Sequence, residues 1–383
     1  MVILRVKLDN VLSFKKFDVC FSYPSKLKTS LIENEHLEYV PSFRYKKLNV
    51  LIGANASGKT SLIKCIWKTL AFLRFKEKQQ LFELINQGEN NSKIELDVAL
   101  DGENIHELHR FKILTDNLDS DLNVKIAHNV VLLSAAKTSK DSYESKLKLL
   151  DEMPDEYQDY IEALKDVNYI TGWNAILPAT EPNFDKVRFA KINNDKELND
   201  YLDILTNIFK TMDPSINKIL KSKDVKNAFV IDHECNKIVV QEGMPLSAIP
   251  YLSSGTKYSI NIANMIFCIK YHQNGLYLID EQFSYVNSDV EAAILSTMIS
   301  LLGPNEQLFF TTHNNEILNL GFPFHSFYFM KKEKTNNGQM ISISCGSEAE
   351  NRNNVSPKTL VDNDVFGTAP KVDKIFEISE NNN

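Results

Sequence analysis

A phosphate-loop pattern constrains the fold of this chain more than any other feature. Residues 53–60 have the sequence Gly-Ala-Asn-Ala-Ser-Gly-Lys-Thr and match G-x-x-x-x-G-K-[ST]. A short apolar run at residues 47–52 precedes the pattern, and apolar residues at helical spacing follow over residues 62–73. The pattern indicates a nucleotide site when a strand precedes it and a helix follows. An ordinary glycine-containing turn between a strand and a helix is the alternative.

The residue types of this loop suit phosphate binding. Gly53 and Gly58 let the backbone turn so that successive N–H groups point at phosphate oxygens, and the start of the helix adds a partial positive charge. Lys59 can reach the β- and γ-phosphates, and the Thr60 hydroxyl can ligate Mg²⁺. The residues predicted to bind nucleotide here are Gly53, Ala54, Asn55, Ala56, Ser57, Gly58, Lys59, Thr60 and Ser61.

Two later apolar runs are followed by residues whose side chains could act on a nucleotide bound at this loop. Residues 276–279 are followed by Asp280 and Glu281, and acids at the carboxyl end of a parallel strand lie where doubly wound sheets bind ligands. Asp280 could hold Mg²⁺, and Glu281 could orient or deprotonate an attacking water. Residues 308–312 are followed by His313, whose imidazole could hydrogen-bond a γ-phosphate. Alternatively, Asp280 and Glu281 could form a solvated strand end, and His313 could be a structural histidine.

A third segment, residues 251–257, has the sequence Tyr-Leu-Ser-Ser-Gly-Thr-Lys and opens a predicted helix. Ser253 is a predicted helix cap. A helix start that is rich in Ser and Gly is also a potential anion site. Alone, the segment indicates only a capped helix.

The order of these motifs resembles the ABC-type ATPase heads of the SMC, RecF and OLD branch. The nearest resemblance is to small stand-alone AAA-type ATP-binding proteins of bacterial antiphage defence and abortive-infection loci. It implies an α/β fold, namely a P-loop NTPase of ABC-ATPase head architecture with a mixed sheet and a helical lid insertion. It also implies an ATPase that converts ATP and water to ADP and phosphate, with ATP and Mg²⁺ as cofactors. Thr60 and Asp280 would then be metal ligands, and Glu281 and His313 catalytic residues.

The resemblance further implies a second copy of the chain. Ser253, Ser254 and Gly255 would contact the γ-phosphate held by that copy, so ATP would hold a homodimer or higher homo-oligomer together. Ser254 and Thr256 differ from the commoner signature sequence L-S-G-G-Q. The glutamine of a Q-loop has only the candidates Gln79, Gln80 and Gln87.

The expected function is that of a sensor or regulatory subunit of an antiphage defence system. A separate effector, such as a nuclease or toxin, is expected because the chain shows no catalytic motifs beyond the ATPase set. The alternatives are a RecF-like DNA repair or recombination ATPase, which would bind DNA, and a scaffold that binds ATP without turnover.

The length of 383 residues suggests two or three domains, or one large domain with an insertion. The expected divisions are an N-terminal ATPase lobe (1–130), a helical insertion (131–225), a C-terminal ATPase lobe (226–350) and a tail (351–383). Hairpins are predicted at residues 93–114, turning around Asp101-Gly102, and at residues 228–241. The insertion is too short, and too often interrupted by proline, for a long coiled coil. Its residues 141–166 contain nine acidic residues against three lysines.

The composition limits the kinds of partner that the chain is expected to bind. A net charge of −7 gives no bulk attraction to nucleic acid, so DNA binding would need a local basic patch. The chain lacks an apolar run of about 20 residues, and its five scattered cysteines lack metal or redox spacing, which favours a cytoplasmic protein without a membrane partner.

Three smaller motifs have alternative interpretations. His106 and His109 could belong to a metal site, although a polar hairpin explains them more simply. The Asp-Asn-Asp sequence at residues 362–364 mimics a TOPRIM acid pair but has too little chain after it for a nuclease domain. The third motif consists of Lys331, Lys332 and Lys334, which could form a solvated turn or a small contact to nucleic acid.

Overall fold

The computed structural model describes most of the chain. The described residues are 1–22, 30, 32–85, 91–118, 121–134, 142–178, 180–182, 191–241, 243–283, 286–335, 338–349, 356–369 and 377. Two six-stranded sheets and one three-stranded sheet are formed within them.

The first sheet is antiparallel and has the strand order β2-β1-β4-β5-β6-β7. Its strands are β1 (Val2–Asp9), β2 (Phe17–Cys20), β4 (Asn91–Gly102), β5 (Ile105–Leu118), β6 (Asp121–Leu132) and β7 (Gln158–Asp159). The hairpin predicted at residues 93–114 is confirmed as β4 and β5. Gly102 pairs with Ile105, so the turn lies at residues 103–104, just beyond the predicted position.

The central sheet is mixed, as expected, and has the order β15-β14-β3-β13-β12-β8. Its strands are β3 (Leu48–Ile52), β8 (Trp173–Ile176), β12 (Leu276–Ile279), β13 (Gln307–Thr312), β14 (Phe327–Thr335) and β15 (Gly338–Cys345). All neighbouring pairs are parallel except β14 with β15. Every residue of β3, β12 and β13 is buried, which agrees with a parallel sheet that is covered on both faces.

The described residues form nine α-helices. They are α1 (Lys59–Phe75), α2 (Gln79–Phe82), α3 (Tyr143–Glu152), α4 (Tyr160–Ala163), α5 (Asp195–Met212), α6 (Ser254–Lys270), α7 (Ser288–Leu301), α8 (Gly346–Ala349) and α9 (Pro357–Asp362). Helix α1 shares one apolar core with the first sheet and with β12 and β13, so it lies between the two sheets. Helices α5, α6 and α7 form the core on the opposite face.

The third sheet is antiparallel and has the order β11-β10-β9, with β9 at Ile216–Lys221, β10 at Ala228–His233 and β11 at Lys237–Gln241. Strands β10 and β11 confirm the hairpin predicted at residues 228–241.

The range 131–225 differs from the expected helical lid, because strand β8 within it pairs with β12 at the edge of the central sheet. A strand of four residues is too short to show a periodicity that the sequence could reveal. Part of this range is therefore built into the central sheet.

The Gln307 side chain joins the first sheet to the central sheet. Its amide nitrogen donates to the carbonyl of Ile3, and its amide oxygen accepts from the Ile3 N–H at 2.8 Å. The same amide nitrogen donates to the carbonyl of Lys46. Because Gln307 is fully buried, these bonds replace the hydrogen bonds that water would otherwise supply.

Candidate functional site

The phosphate loop connects β3 to α1, as the sequence predicts. Gly58 has φ +105° and Ala56 has φ +62°, so the backbone is left-handed at both residues just before α1 begins at Lys59. A Cβ atom on Gly53 would lie 2.3 Å from the carbonyl oxygen of Met330. Glycine is therefore required at position 53 by close packing against β14 and at position 58 by backbone conformation.

Lys59 lies at the centre of the site with only 3% of its surface exposed. Its ammonium donates to the carbonyls of Gly53 at 2.8 Å and Ala54 at 3.3 Å. It also lies 3.6 Å from Glu281 Oε1 and 3.4 Å from His313 Nδ1. Burial lowers the pKa of Lys59, and the charges of Glu281 and Asp280 oppose this effect. The loop thus holds a buried cation directly against the acids of the neighbouring strand.

The sheet order explains how these distant residues meet. Strand β13 lies between β3 and β12, so the carboxyl ends of all three strands are adjacent. His313 Nε2 lies 2.8 Å from Glu281 Oε1. Glu281 has φ +47°, a left-handed conformation that costs energy for a residue with a side chain. The fold therefore fixes Glu281 in a strained position beside His313 and Lys59.

Asp280 is fully buried and lies between two threonines. Thr311 Oγ1 donates to Asp280 Oδ1 at 2.6 Å and accepts from the Glu281 N–H at 2.9 Å. Burial raises the pKa of Asp280, whereas the hydroxyls of Thr311 and Thr60 and the charge of Lys59 lower it. Thr311 thus orients both acids, although the sequence prediction did not include it.

The other carboxylate oxygen of Asp280 fits a divalent cation. Oδ2 is buried and has no hydrogen-bond partner among the described residues, although the Thr60 hydroxyl is close enough to affect the carboxyl group. A carboxylate and a hydroxyl, completed by waters and phosphate oxygens, form the usual protein contribution to a Mg²⁺ site. These residues therefore suit the predicted metal.

Two cavities meet at Glu281. The smaller, of about 190 Å³, lies against Gly58, Lys59, Thr60 and Ser61. The larger is a cleft of about 1040 Å³ that is lined by residues 53–55, Glu281, residues 311–316 and parts of α9 and the segment after it. The site thus has a narrow side at the start of α1 and a wide side next to His313.

Sequence reasoning missed two further residues of the site. Lys332 lines the smaller cavity and donates to the Ser13 hydroxyl at 3.4 Å, although it was predicted to lie in a solvated turn or a nucleic-acid contact. Glu291 on α7 lines the larger cleft and accepts from Thr312 Oγ1 at 2.7 Å and Asn314 Nδ2 at 2.8 Å. An acid that interrupts the apolar face of α7 was the available signal for Glu291.

The predicted signature segment lies at the start of α6. Ser253 caps α6, as predicted, because its hydroxyl accepts from the Thr256 N–H at 3.1 Å. Ser253 and Ser254 are exposed, and Gly255 is partly exposed. None of the three lines either cavity described above.

The candidate metal-binding histidines do not converge. His106 pairs with Asp101 at 2.8 Å, whereas His109 contacts His128 at 3.0 Å. Residues three apart in a strand lie on opposite faces, which explains why His106 and His109 have different partners. Within the described ranges, no group of three or more His, Cys, Asp or Glu side chains could hold a metal.

The two described Q-loop candidates, Gln79 and Gln80, do not line the site. The Gln80 side chain accepts from Lys68 and donates to Glu77, beyond the middle of α1, and Gln79 is exposed. Gln87 lies outside the described residues. Of the described helices, none is long and apolar enough to cross a membrane.

Solved structures with a similar fold include three SMC heads. An SMC head bound to the C-winged helix domain of ScpA is 13% identical, with a TM-score of 0.51, covering 91% of this chain and 100% of that one. The SMC head domain from Thermotoga maritima is 12% identical (TM-score 0.40; 89% and 98% coverage). An SMC head with an extended coiled coil, bound to the C-terminal domain of ScpA derived from Pyrococcus furiosus, is 11% identical (TM-score 0.46; 91% and 97% coverage).

The first of these similarities shows the fold alone, which is that of an SMC head-like P-loop NTPase and confirms the expected fold class. No curated protein matches the chain. The model of one protein family matches residues 48–319, a span that runs from β3 past His313. The chain therefore belongs to the family described as "AAA domain, putative AbiEii toxin, Type IV TA system".

Proposed function

We propose that this protein binds ATP with Mg²⁺, hydrolyses it, and acts as the sensor or regulatory subunit of an antiphage defence system with a separate effector. The observation that carries the enzymatic part is the convergence of Lys59, Asp280, Glu281 and His313 at one end of the central sheet. Phosphoryl transfer depends on positioning and charge stabilisation, and this arrangement supplies both.

Each residue has a role that follows from its position. The Lys59 ammonium would exchange its contacts with the loop carbonyls for the β- and γ-phosphates. Asp280 and Thr60 would hold Mg²⁺, which supplies positive charge to the phosphates when bound. Glu281 would orient the attacking water and accept its proton, and His313 would hold Glu281 in place through their 2.8 Å contact.

A second copy would complete the site. The exposed Ser253 cap lines neither cavity of its own chain, and the larger cleft opens beside Glu281 and His313. These two facts support head-to-tail pairing, in which residues 253–255 of one copy enter the cleft of the other. ATP would then stabilise the pair because it contacts both copies.

The defence role is supported by the family description, which includes the words "putative AbiEii toxin, Type IV TA system". An SMC head of similar fold binds a separate protein domain, which supports a head that controls a partner. Phage challenge of cells that carry this gene with its neighbours should show protection that Lys59→Ala abolishes. If the protein expressed alone arrests growth, it is itself the toxin and the separate effector is wrong.

Steady-state phosphate release tests the enzymatic part. Wild type should hydrolyse ATP, Lys59→Ala should lose nucleotide binding, and Glu281→Gln should bind ATP without turnover and remain paired. Lys64→Ala, five residues along the same helix and ion-paired to Glu83, is the matched control and should behave as wild type. Equal phosphate release from wild type and Glu281→Gln would exclude the proposed role of Glu281.

Two further results would favour the alternatives. ATP binding with no phosphate release by wild type would indicate a scaffold. A gel-shift titration that shows ATP-dependent DNA binding with a steep salt dependence would instead favour the RecF-like function.

A further inference from the structure

The outer side of the three-stranded sheet exposes an apolar row. The strand register places Leu220, Val230 and Val239 side by side across β9, β10 and β11. Leu220 is 43% exposed and Val239 is 50% exposed. The next row on the same side, two residues along each strand, consists of Lys218, Asp232 and Lys237. We call these six residues the lysine face.

Positive charge surrounds this face in a protein that is negative as a whole. Residues 216–241 contain five lysines against three acidic residues, whereas the chain has a net charge of −7. All five lysines (Lys218, Lys221, Lys223, Lys226 and Lys237) are exposed. In the part of the chain that the structure describes, none of them forms an ion pair. An apolar row bordered by free lysines fits a partner surface that is both acidic and apolar.

The same chain carries such a surface elsewhere. Three acidic residues are exposed and have no ion-pair partner among the described residues: Glu152 at the end of α3, Glu156 in the segment that follows, and Glu162 in α4. Exposed apolar side chains lie among them, with Tyr157 at 36% and Ile161 at 63%. We call these five residues the acidic face.

The two faces do not meet within one chain. The acidic face lies at the edge of the first sheet, next to β7, whereas the lysine face belongs to the three-stranded sheet. Across the described ranges, no hydrogen bond or ion pair joins them.

We propose that the acidic face of one copy docks onto the lysine face of a second copy. The contact is heterologous, because each copy offers two different faces, and it leaves one free face of each kind at the ends of every pair. It requires no nucleotide and does not depend on the proposed ATPase function. Combined with ATP-dependent pairing, it would build assemblies of more than two copies.

Analytical ultracentrifugation of the nucleotide-free, full-length protein tests the contact. Wild type should associate as concentration rises, and the association should weaken with salt because exposed charges are screened. The double variants Lys218→Glu/Lys237→Glu and Glu156→Lys/Glu162→Lys should each associate at least about tenfold more weakly. Lys191→Glu/Lys196→Glu is the matched control, since it makes the same charge change at two exposed lysines near the start of α5.

Mixing the two double variants gives a sharper result. The intact acidic face of the first can bind the intact lysine face of the second, and the two reversed faces are complementary to each other, so the mixture should associate although neither variant does so alone. A fourfold variant that carries both exchanges should associate again, which excludes misfolding as the cause of the loss. Lys59→Ala should associate as wild type does, so this test is independent of ATP binding.

Several outcomes would overturn the proposal. They are a monomeric wild type at all concentrations, unchanged association of either double variant, or a mixture that forms no pairs. Association that appears only with ATP would assign the interface to the nucleotide site instead. If Lys218→Glu/Lys237→Glu abolishes binding to a short DNA duplex but leaves self-association unchanged, the lysine face is a nucleic-acid surface.

Discussion

Replacing Glu291 with Gln should slow ATP hydrolysis without weakening ATP binding. The Glu291 carboxylate is 3% exposed and accepts hydrogen bonds from Thr312 and Asn314, the residues on either side of His313. Thr312 and Asn314 donate to different oxygens of the carboxylate, and glutamine replaces one of these oxygens with an NH2 group that donates instead of accepting, so one of the two bonds to a charged acceptor is lost. We therefore expect the loop that carries His313 to shift, which makes Glu291 a positioning residue.

The size of the expected fall in kcat follows from the hydrogen bond that is lost. A hydrogen bond to a charged group contributes about 1.5–3 kcal/mol, and each 1.4 kcal/mol of transition-state free energy corresponds to about a tenfold change in rate. The expected fall in kcat is therefore about ten- to hundredfold. Among the described residues, Glu291 forms no hydrogen bond or ion pair with residues 57–61, so the Kd for ATP should stay within about twofold of wild type.

The assay measures phosphate release for kcat and binding of a fluorescent ATP analogue for Kd. Asp289→Asn is the matched control, because it removes an exposed carboxylate two residues earlier on α7 and should leave both constants unchanged. Thermal unfolding should confirm that Glu291→Gln is folded. A wild-type kcat for Glu291→Gln, or an equal loss of affinity and rate, would refute the positioning role.

Three further predictions concern pairing and stability. Ser253→Arg should abolish ATP-dependent pairing in ultracentrifugation but leave ATP binding by the single chain intact, and pairing that persists would contradict the head-to-tail arrangement. Asp97→Ala should lower the free energy of unfolding, measured by urea titration, by about 3 kcal/mol, because it removes both hydrogen bonds from the buried Arg110 to Asp97. A loss below about 1 kcal/mol would show that this pair contributes little to stability. Burial lowers the pKa of His109 and His128 to about 4, so the unfolded chain binds protons below pH of about 6.5 that the folded chain does not. Stability should therefore fall as pH decreases from about 6.5 to about 4, and His128→Gln, measured by thermal unfolding, should show a shallower fall than wild type.

Much of the candidate site could be predicted because its residues stand at the ends of apolar strands. Asp280, Glu281 and His313 come directly after buried strands that the sequence shows, and Lys59 stands at the end of the phosphate-loop pattern that follows another. Their order along the chain was enough to predict the P-loop fold and a mixed sheet. The Ser253 cap was also visible, because a serine before a predicted helix has a local role.

The remaining features depend on contacts between distant segments. Thr311 reaches Asp280 only because β13 lies beside β12, and Lys332 reaches the smaller cavity only because β14 lies beside β3. Strand β8 was missed because four residues carry too little periodic signal. No local pattern contains the order of strands in a sheet, so these relations appear only in the folded chain.

The Gln307 side chain has a mechanical consequence. Its amide forms hydrogen bonds with both the N–H and the carbonyl of Ile3, as a neighbouring strand would. Gln307 is the first residue of β13, the strand that ends next to His313. These bonds tie β1 to the first residue of β13, so a displacement of β1 would act on the strand that ends next to His313.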